Sequence, residues 1–301
     1  MENELILKCG SFAYHVQPTP VQWPDGVSNP QISGLAWLNG KLYAANRSVP
    51  YPVIVFDKAG RFEKGFGASL AFGRTHGIFV EKDGSVLICD DVRHVIYHIN
   101  GDGSLKDMMG TQDIPCNNGY DGTVPWPHDL YTVQRMGEPF NRPTDIIRAA
   151  NGRLFVTDGY GNAAVHRFSP EGILEKTWGG PGREAGKLRL PHSLCEDALG
   201  RIWVCDRENF RTQVYDHEGN FVHTFERQGM PSDCWCDGTN MYILELHGYL
   251  SVYDMDFRMI ARMGYEHSLL EGSHSLTGDG YGNLFVGFIS GAYSLVRLER
   301  I

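Results

Sequence analysis

What this 301-residue sequence has little of narrows it first. Basic residues are outnumbered, 27 Lys and Arg against 36 Asp and Glu for a formal charge of −9. They gather in no stripe, so the cations that displace counterions from a phosphate backbone are missing, and nucleic acid is not an expected partner. No apolar run is long enough to cross a bilayer, so a membrane is not an expected partner either. The opening MENELILKCGSFAYHV has no basic segment leading into a long apolar one. A secretory leader is therefore not expected, and a cytoplasmic location is. The seven cysteines, Cys9, Cys89, Cys116, Cys195, Cys205, Cys234 and Cys236, are odd in number and never spaced CxxC. That argues against a disulfide framework and against a cysteine zinc site. Several stand in strand-like runs such as VLICDD and RIWVCDR, where a thiol serves as a small buried hydrophobe.

What the chain does have is a repeat. The segments SGLAWLNGKLYAANRS, HGIFVEKDGSVLICDDV, TDIIRAANGRLFVTDGY, HSLCEDALGRIWVCDRE, SDCWCDGTNMYILELHG and HSLTGDGYGNLFVGFIS share one plan. Each is a short apolar strand, a polar turn often holding Gly, a second apolar strand, and usually an acidic or amide residue at its end. Further strands follow in NAAVHRFSPEGILEKTWG and RTQVYDHEGNFVHTFER. Six units spaced roughly 40 to 50 residues apart, with one longer interval, predict an all-β, six-bladed β-propeller of the NHL-repeat type forming a single domain over residues 1–301. The last unit ends one strand short at SLVRLERI, and KCGSFAYHV near the N-terminus is expected to supply that strand and close the ring. The long interval, Thr111 to Arg142, is rich in Gly, Pro and Asn and is expected to form a lid-like loop over a functional site.

Aligning the units places Ser33, His76, Thr144, His192, Ser232 and His274 at the start of the six inner strands. Histidine alternates with a small hydroxyl residue. Inner strands line a propeller's central channel, so alternate blades set three imidazoles about 120° apart at one height, all facing the axis. Three converging histidines are the protein half of a zinc site with one position left open. Zinc is the expected metal, and iron, cobalt, nickel or manganese accept the same donors.

If the inner strand runs away from this face, the second strand returns to it, and the turns that follow stand over the metal. Aligned on the acidic or amide residue they read Asn46-Arg47, Asp90-Asp91, Asp158-Gly159-Tyr160, Asp206-Arg207, Glu245-Leu246 and Gly287-Phe288. The forks of Arg47 and Arg207 suit a carboxylate. A tyrosine ordinarily keeps its proton at neutral pH, and cationic neighbours of the kind expected here are what would let Tyr160 act as a base. In the insertion, Trp126 and His128 are candidates to cover the site, with His128 a candidate substrate contact and proton donor.

The stretch RPTDIIRAANGRLFVTDGYGNAAVHRFSPEGILEKTWG, followed by LPHSLCEDALGRIWVCDRENFRTQVYD, resembles the central blades of peptidyl-α-hydroxyglycine α-amidating lyases. The resemblance covers most of the chain and is most specific from Arg142 to Asp216. It implies a six-bladed propeller that splits a carbinolamide into an amide and glyoxylate. It also implies a zinc ion on His76, His192 and His274, a catalytic Tyr160, and substrate arginines Arg47 and Arg207. Where that family has a calcium-binding aspartate after its last zinc histidine, this chain has Ser275, so structural calcium is not expected. Gly272 replaces a methionine two residues before that histidine, and Gly161 replaces a disulfide cysteine after the tyrosine. A copper monooxygenase domain is not expected beside this propeller, and amidation of neuropeptide-like substrates is not the expected role.

The expected activity is thus a metal-dependent lyase acting on a small or peptide-like α-hydroxy compound with a carboxylate. A metal-dependent hydrolase of amides, esters or lactones on the same site is the alternative reaction. Loss of activity on removing the Tyr160 hydroxyl favours the lyase, and solvent ¹⁸O in the product favours the hydrolase. A non-enzymatic interaction propeller is the third reading, separated from both by metal content.

Overall fold

The computed structural model of the chain describes residues 5–265 and 268–301. The acidic start on which the leader reading partly rested, residues 1–4, lies outside them. Strand succeeds strand because the sequence alternates apolar runs of five or six residues with Gly- or Asp-centred turns. The turns at Gly60, Gly84, Gly152, Gly172 and Gly200 all have positive φ, which glycine adopts without the clash a Cβ would bring.

Six antiparallel sheets result. The first blade is built from Ile32–Leu38, Lys41–Asn46, Val53–Asp57 and Phe62–Phe66, and the second from Thr75–Val80, Val86–Asp90, Val95–Ile99 and Leu105–Gly110. The third runs Pro143–Arg148, Leu154–Asp158, Ala164–Phe168 and Leu174–Gly179, and the fourth Pro191–Glu196, Ile202–Asp206, Arg211–Tyr215 and Phe221–Phe225. The fifth comprises Pro231–Cys236, Asn240–Glu245, Tyr249–Asp254 and Met259–Gly264. The sixth has Ser273–Gly278, Leu284–Phe288 and Leu295–Arg300, and its fourth strand is Phe12–Gln17, with Ile6–Cys9 added outside it. The N-terminal strand thus closes the ring as expected, pairing Tyr14 with Arg300 and Val16 with Leu298.

The core lies between blade faces. Val86, Ile88, Val95 and Ile99 of the second blade pack against Tyr43, Val53 and Val55 of the first. Leu244, Leu250 and Val252 of the fifth pack against Leu284, Val286 and Leu298 of the sixth. Each such side chain, fully withdrawn from water, contributes roughly 1.5–3 kcal/mol, and the interlock holds the inner strands at fixed angles around the axis.

The acidic or amide residue ending each second strand turns out to be a fold device. Asp90 accepts the backbone N–H groups of Gly73 and Arg74, Asp158 that of Asn141, Asp206 that of Arg189, Glu245 that of Gly229, and Asn46 that of Gln31. Each fastens the segment entering its own inner strand. In the sixth blade Ser273 pairs with Phe288 and Ser275 with Gly287. Phe288, not Gly287, is therefore the counterpart of the acidic residues, and the aligned turn of that blade moves by one residue.

Candidate metal centre

The six axis residues share a backbone irregularity. Ladder register slips between Ile32 and Gly34, Thr75 and Ile78, Pro143 and Asp145, Pro191 and Leu194, Pro231 and Asp233, and Ser273 and Ser275. Each slip is a β-bulge, the extra residue that re-aims a side chain, and it falls at Ser33, His76, Thr144, His192, Ser232 and His274. Each axis residue is second in its strand, one place further in than the sequence suggested.

All three histidines are buried. Their ring centroids are 4.7 to 4.8 Å apart, and one ring nitrogen of each lies within 4.8 Å of the others. The other nitrogen is spoken for. His76 Nδ1 stands 2.6 Å from the Thr144 carbonyl oxygen, His192 Nδ1 2.5 Å from that of Ser232, and His274 Nδ1 2.9 Å from that of Ser33. A carbonyl only accepts, so Nδ1–H donates in every case and Nε2 presents its lone pair to the axis. Each alternating hydroxyl residue lends its backbone carbonyl to the histidine of the preceding blade, while its hydroxyl donates to another carbonyl: Ser33 to Thr75, Thr144 to Pro191 and Ser232 to Leu244.

Three lone pairs then face one another with a single proton among them. The Tyr160 hydroxyl lies 3.2 Å from His76 Nε2 and 3.3 Å from His192 Nε2, and it donates to one at a time. His274 Nε2 is buried without a partner. Burial, reinforced by neighbouring histidines and arginines, holds all three imidazoles well below their ordinary value, so they are neutral. Neutral, buried, converging imidazoles with fixed tautomers fit a divalent cation of the zinc type, and they form the one group of metal-ligating side chains among the described residues. The thiols do not compete. Burial raises Cys89 and Cys205 above their ordinary value, and Cys116 and Cys236 to about 12.

Tyr160 reaches this position because its flanks have no room for side chains. A Cβ on Gly159 would stand 2.3 Å from the Pro191 carbonyl oxygen, and one on Gly161 2.3 Å from Asn141 Oδ1. Its ring packs on Leu130 and Leu190. Over it opens a cavity of about 590 Å³ lined by Arg47, Arg74, Arg142, Arg207, Trp126 and Asp129, with His274 in its floor. Arg47 donates through Nε to the Thr75 carbonyl at 3.2 Å, while its buried Nη2 has no partner. Burial pulls its guanidinium below the ordinary value, opposed by Tyr160 and Asp91. The Arg207 guanidinium lies 5.6 Å from the Tyr160 ring centre and 5.7 Å from that of Trp126.

Arg47, Tyr160 and Arg207 thus share one cavity with His274, and Tyr160 reaches His76 and His192 through its hydroxyl. His128 does not share it. The 3₁₀ turn His128–Tyr131 turns its first side chain to solvent and buries Asp129 and Leu130, so the insertion reaches the cavity through Asp129 and Trp126. Arg74 and Arg142 escaped the sequence reading. Their guanidinium groups stand 5.5 and 5.3 Å from the Tyr160 ring centre, and both ion-pair with the buried Asp91. The available signal was position: they precede His76 and Thr144 by two residues.

The fold and site define a six-bladed β-propeller with an axial three-histidine cluster. Residues 188–215 match the NHL repeat. Among curated proteins, NHL repeat-containing protein 3 of Mus musculus is 30% identical over 191 residues, 60% of this chain and 50% of that protein. A probable peptidyl-alpha-hydroxyglycine alpha-amidating lyase of Caenorhabditis elegans is 30% identical over 154 residues, 50% of this chain and 39% of that protein. The chain therefore spans half or less of the length of these relatives. Among solved structures, a streptogramin B lyase superposes with a TM-score of 0.66 at 13% identity, covering 96% of this chain and 98% of that one; at that identity the likeness is one of fold. No helix among the described residues is long and apolar enough to cross a membrane.

Proposed function

We propose that the protein is a metal-dependent lyase that splits a small or peptide-like carbinolamide bearing a carboxylate into an amide and a carbonyl acid such as glyoxylate. The observation that carries this reading is the Tyr160 hydroxyl, set 3.2 and 3.3 Å from the axial nitrogens of His76 and His192. His76, His192 and His274 would hold the metal, zinc being the first choice for three imidazoles. When bound, it supplies positive charge that stabilises negative charge developing on a neighbouring oxygen.

The chain's own groups do the rest. Arg47 and Arg207 hold the substrate carboxylate through charge-assisted hydrogen bonds. Acting as a phenolate beside the arginines, the Tyr160 oxygen would take the proton of the substrate hydroxyl. The oxygen's electron pair closes to a carbonyl, the C–N pair departs with nitrogen, and the proton on Tyr160 passes to that nitrogen. One proton moves from oxygen to nitrogen and no water is consumed, which distinguishes the reaction from hydrolysis. The similarity to an amidating lyase of C. elegans supports this choice.

The test is elemental analysis of wild type beside His192→Ala, together with glyoxylate release from an N-acyl-α-hydroxyglycine. About one transition metal per chain, lost in the variant, with glyoxylate formed by wild type, is expected. A wild type that neither holds nor takes up metal sinks the reading and favours an interaction propeller. Solvent ¹⁸O in the product moves the chemistry to a hydrolase.

A further inference from the structure

Asp129 has no part in the reaction as written, yet it lines the same cavity as Tyr160 and Arg207 while only 5% exposed. Its carboxylate accepts the Tyr120 hydroxyl at Oδ2, 2.9 Å away, and its neighbour's backbone Leu130 N–H at Oδ1, 3.0 Å away. An ionised carboxylate accepts about four hydrogen bonds, so two places remain. The cavity's arginines do not pair with it: Arg47 donates to the Thr75 carbonyl and keeps a free Nη2. Arg74 and Arg142 pair with Asp91 and Arg207 with Glu208, and no cation pairs with Asp129 among the described residues. A buried acceptor with spare capacity and no cation is costly unless a donor arrives.

Its position is not incidental to a loose loop. The Tyr120 hydroxyl that holds Asp129 accepts in turn from Arg142 Nη1 at 2.7 Å, and Arg142 leans on Asp91 of the second blade. Arg142 sits at φ 70°, a conformation a non-glycine residue keeps only when its surroundings enforce it. Asp91, Arg142, Tyr120 and Asp129 thus form one chain of polar contacts from the propeller wall into the insertion.

We propose that Asp129 accepts the N–H of the substrate's scissile amide and thereby selects secondary amides, an inference that rests on the lyase reading above. The cavity brings arginines together with the Asp129 carboxylate, a pairing that fits a ligand with a carboxylate at one end and an N–H donor beyond the reacting carbon. Asp129 is in this sense a specificity residue: it takes no proton, and it fixes the nitrogen that will leave.

Binding separates this idea from the chemistry. Wild type, Asp129→Asn and Tyr120→Phe are titrated calorimetrically with an N-acylglycine and its N-methyl counterpart, neither of which can react. Wild type is expected to prefer the N–H ligand by about tenfold or more, the range of a hydrogen bond to a charged group. Asp129→Asn turns an amide N–H₂ or a weaker acceptor towards the ligand and is expected to bring the preference to within about twofold. Tyr120→Phe, which frees the carboxylate from its hydroxyl donor, is expected to fall between. An unchanged preference in the variants, or none in wild type, overturns the proposal. Should Asp129→Asn melt early, Tyr120→Phe decides. Should binding discriminate as expected while glyoxylate never appears, the lyase reading fails and the recognition of an N-acylglycine remains.

Discussion

Tyr160 is the residue on which the chemistry turns. It is 8% exposed, and three guanidinium groups lie within 5.6 Å of its ring centre. Tyr160→Phe keeps that packing and removes only the oxygen. Glyoxylate release is expected to fall by about 10²-fold or more, the range for a positioned acid–base group, with metal content unchanged. Parallel loss of metal would make the hydroxyl a structural prop instead. The histidines carry a pH signature. In metal-free protein they remain neutral while folded, whereas in the unfolded chain they take protons near pH 6.5. Below that value the unfolded state binds more protons, so stability is full above pH 6.5 and falls as pH drops, by up to about 4 kcal/mol per pH unit for three groups. Buried Asp206 and Asp233, raised to about 6, titrate in the same window with the opposite sign. The histidine contribution is therefore read as a difference: urea unfolding across pH 7 to 5 should show a slope smaller by up to about 1.4 kcal/mol per pH unit in His192→Gln than in wild type. At this scale the sequence was legible where it repeats. Three histidines at equivalent positions betray an axis, whereas Arg74 and Arg142 lie just ahead of their strands, where only a shared place two residues before the axis residue marks them and no apolar alternation does. His128 and Asp129 differ by one step in a turn, and only the turn's fold decides which faces inward.

Among elements, the strand Phe12–Gln17 bears the largest responsibility. Phe12, Tyr14 and Val16 alternate inward, Tyr14 wholly buried, and the strand covers the outer edge of the sixth blade. Tyr14→Ala is expected to cost about 3–5 kcal/mol, read as a lower urea midpoint with the slope unchanged. A lost slope would mean the ring opens first. This strand was predictable because the last repeat lacked one member and every sheet edge must be covered or blunted. The sixth-blade turn was misaligned by one residue because Phe288 stands where the other five blades carry an acidic or amide residue, so no polar side chain marks the end of that strand.

For the molecule as a whole, the three histidines belong to the second, fourth and sixth blades, so a bound ion would tie together half the ring. Metal that binds only the folded chain stabilises it by about 2.7 kcal/mol when free ion is a hundred times its dissociation constant. Chelation is expected to lower the melting temperature and metal to restore it, while His274→Ala should melt at the chelated temperature with or without metal. A variant that still responds to metal would place the ion elsewhere.

One contact sets the order of events in the life of the chain. The hydrogen bond from His274 Nδ1 to the Ser33 carbonyl joins residues 241 apart. A nascent chain emerging from the ribosome presents its first two histidines early, yet the third arrives only with the final blade, and its tautomer is set only when that blade meets the first. An ion on this axis would therefore find all three imidazoles only in a closed ring, and a chain cut short before its last repeat would lack the third.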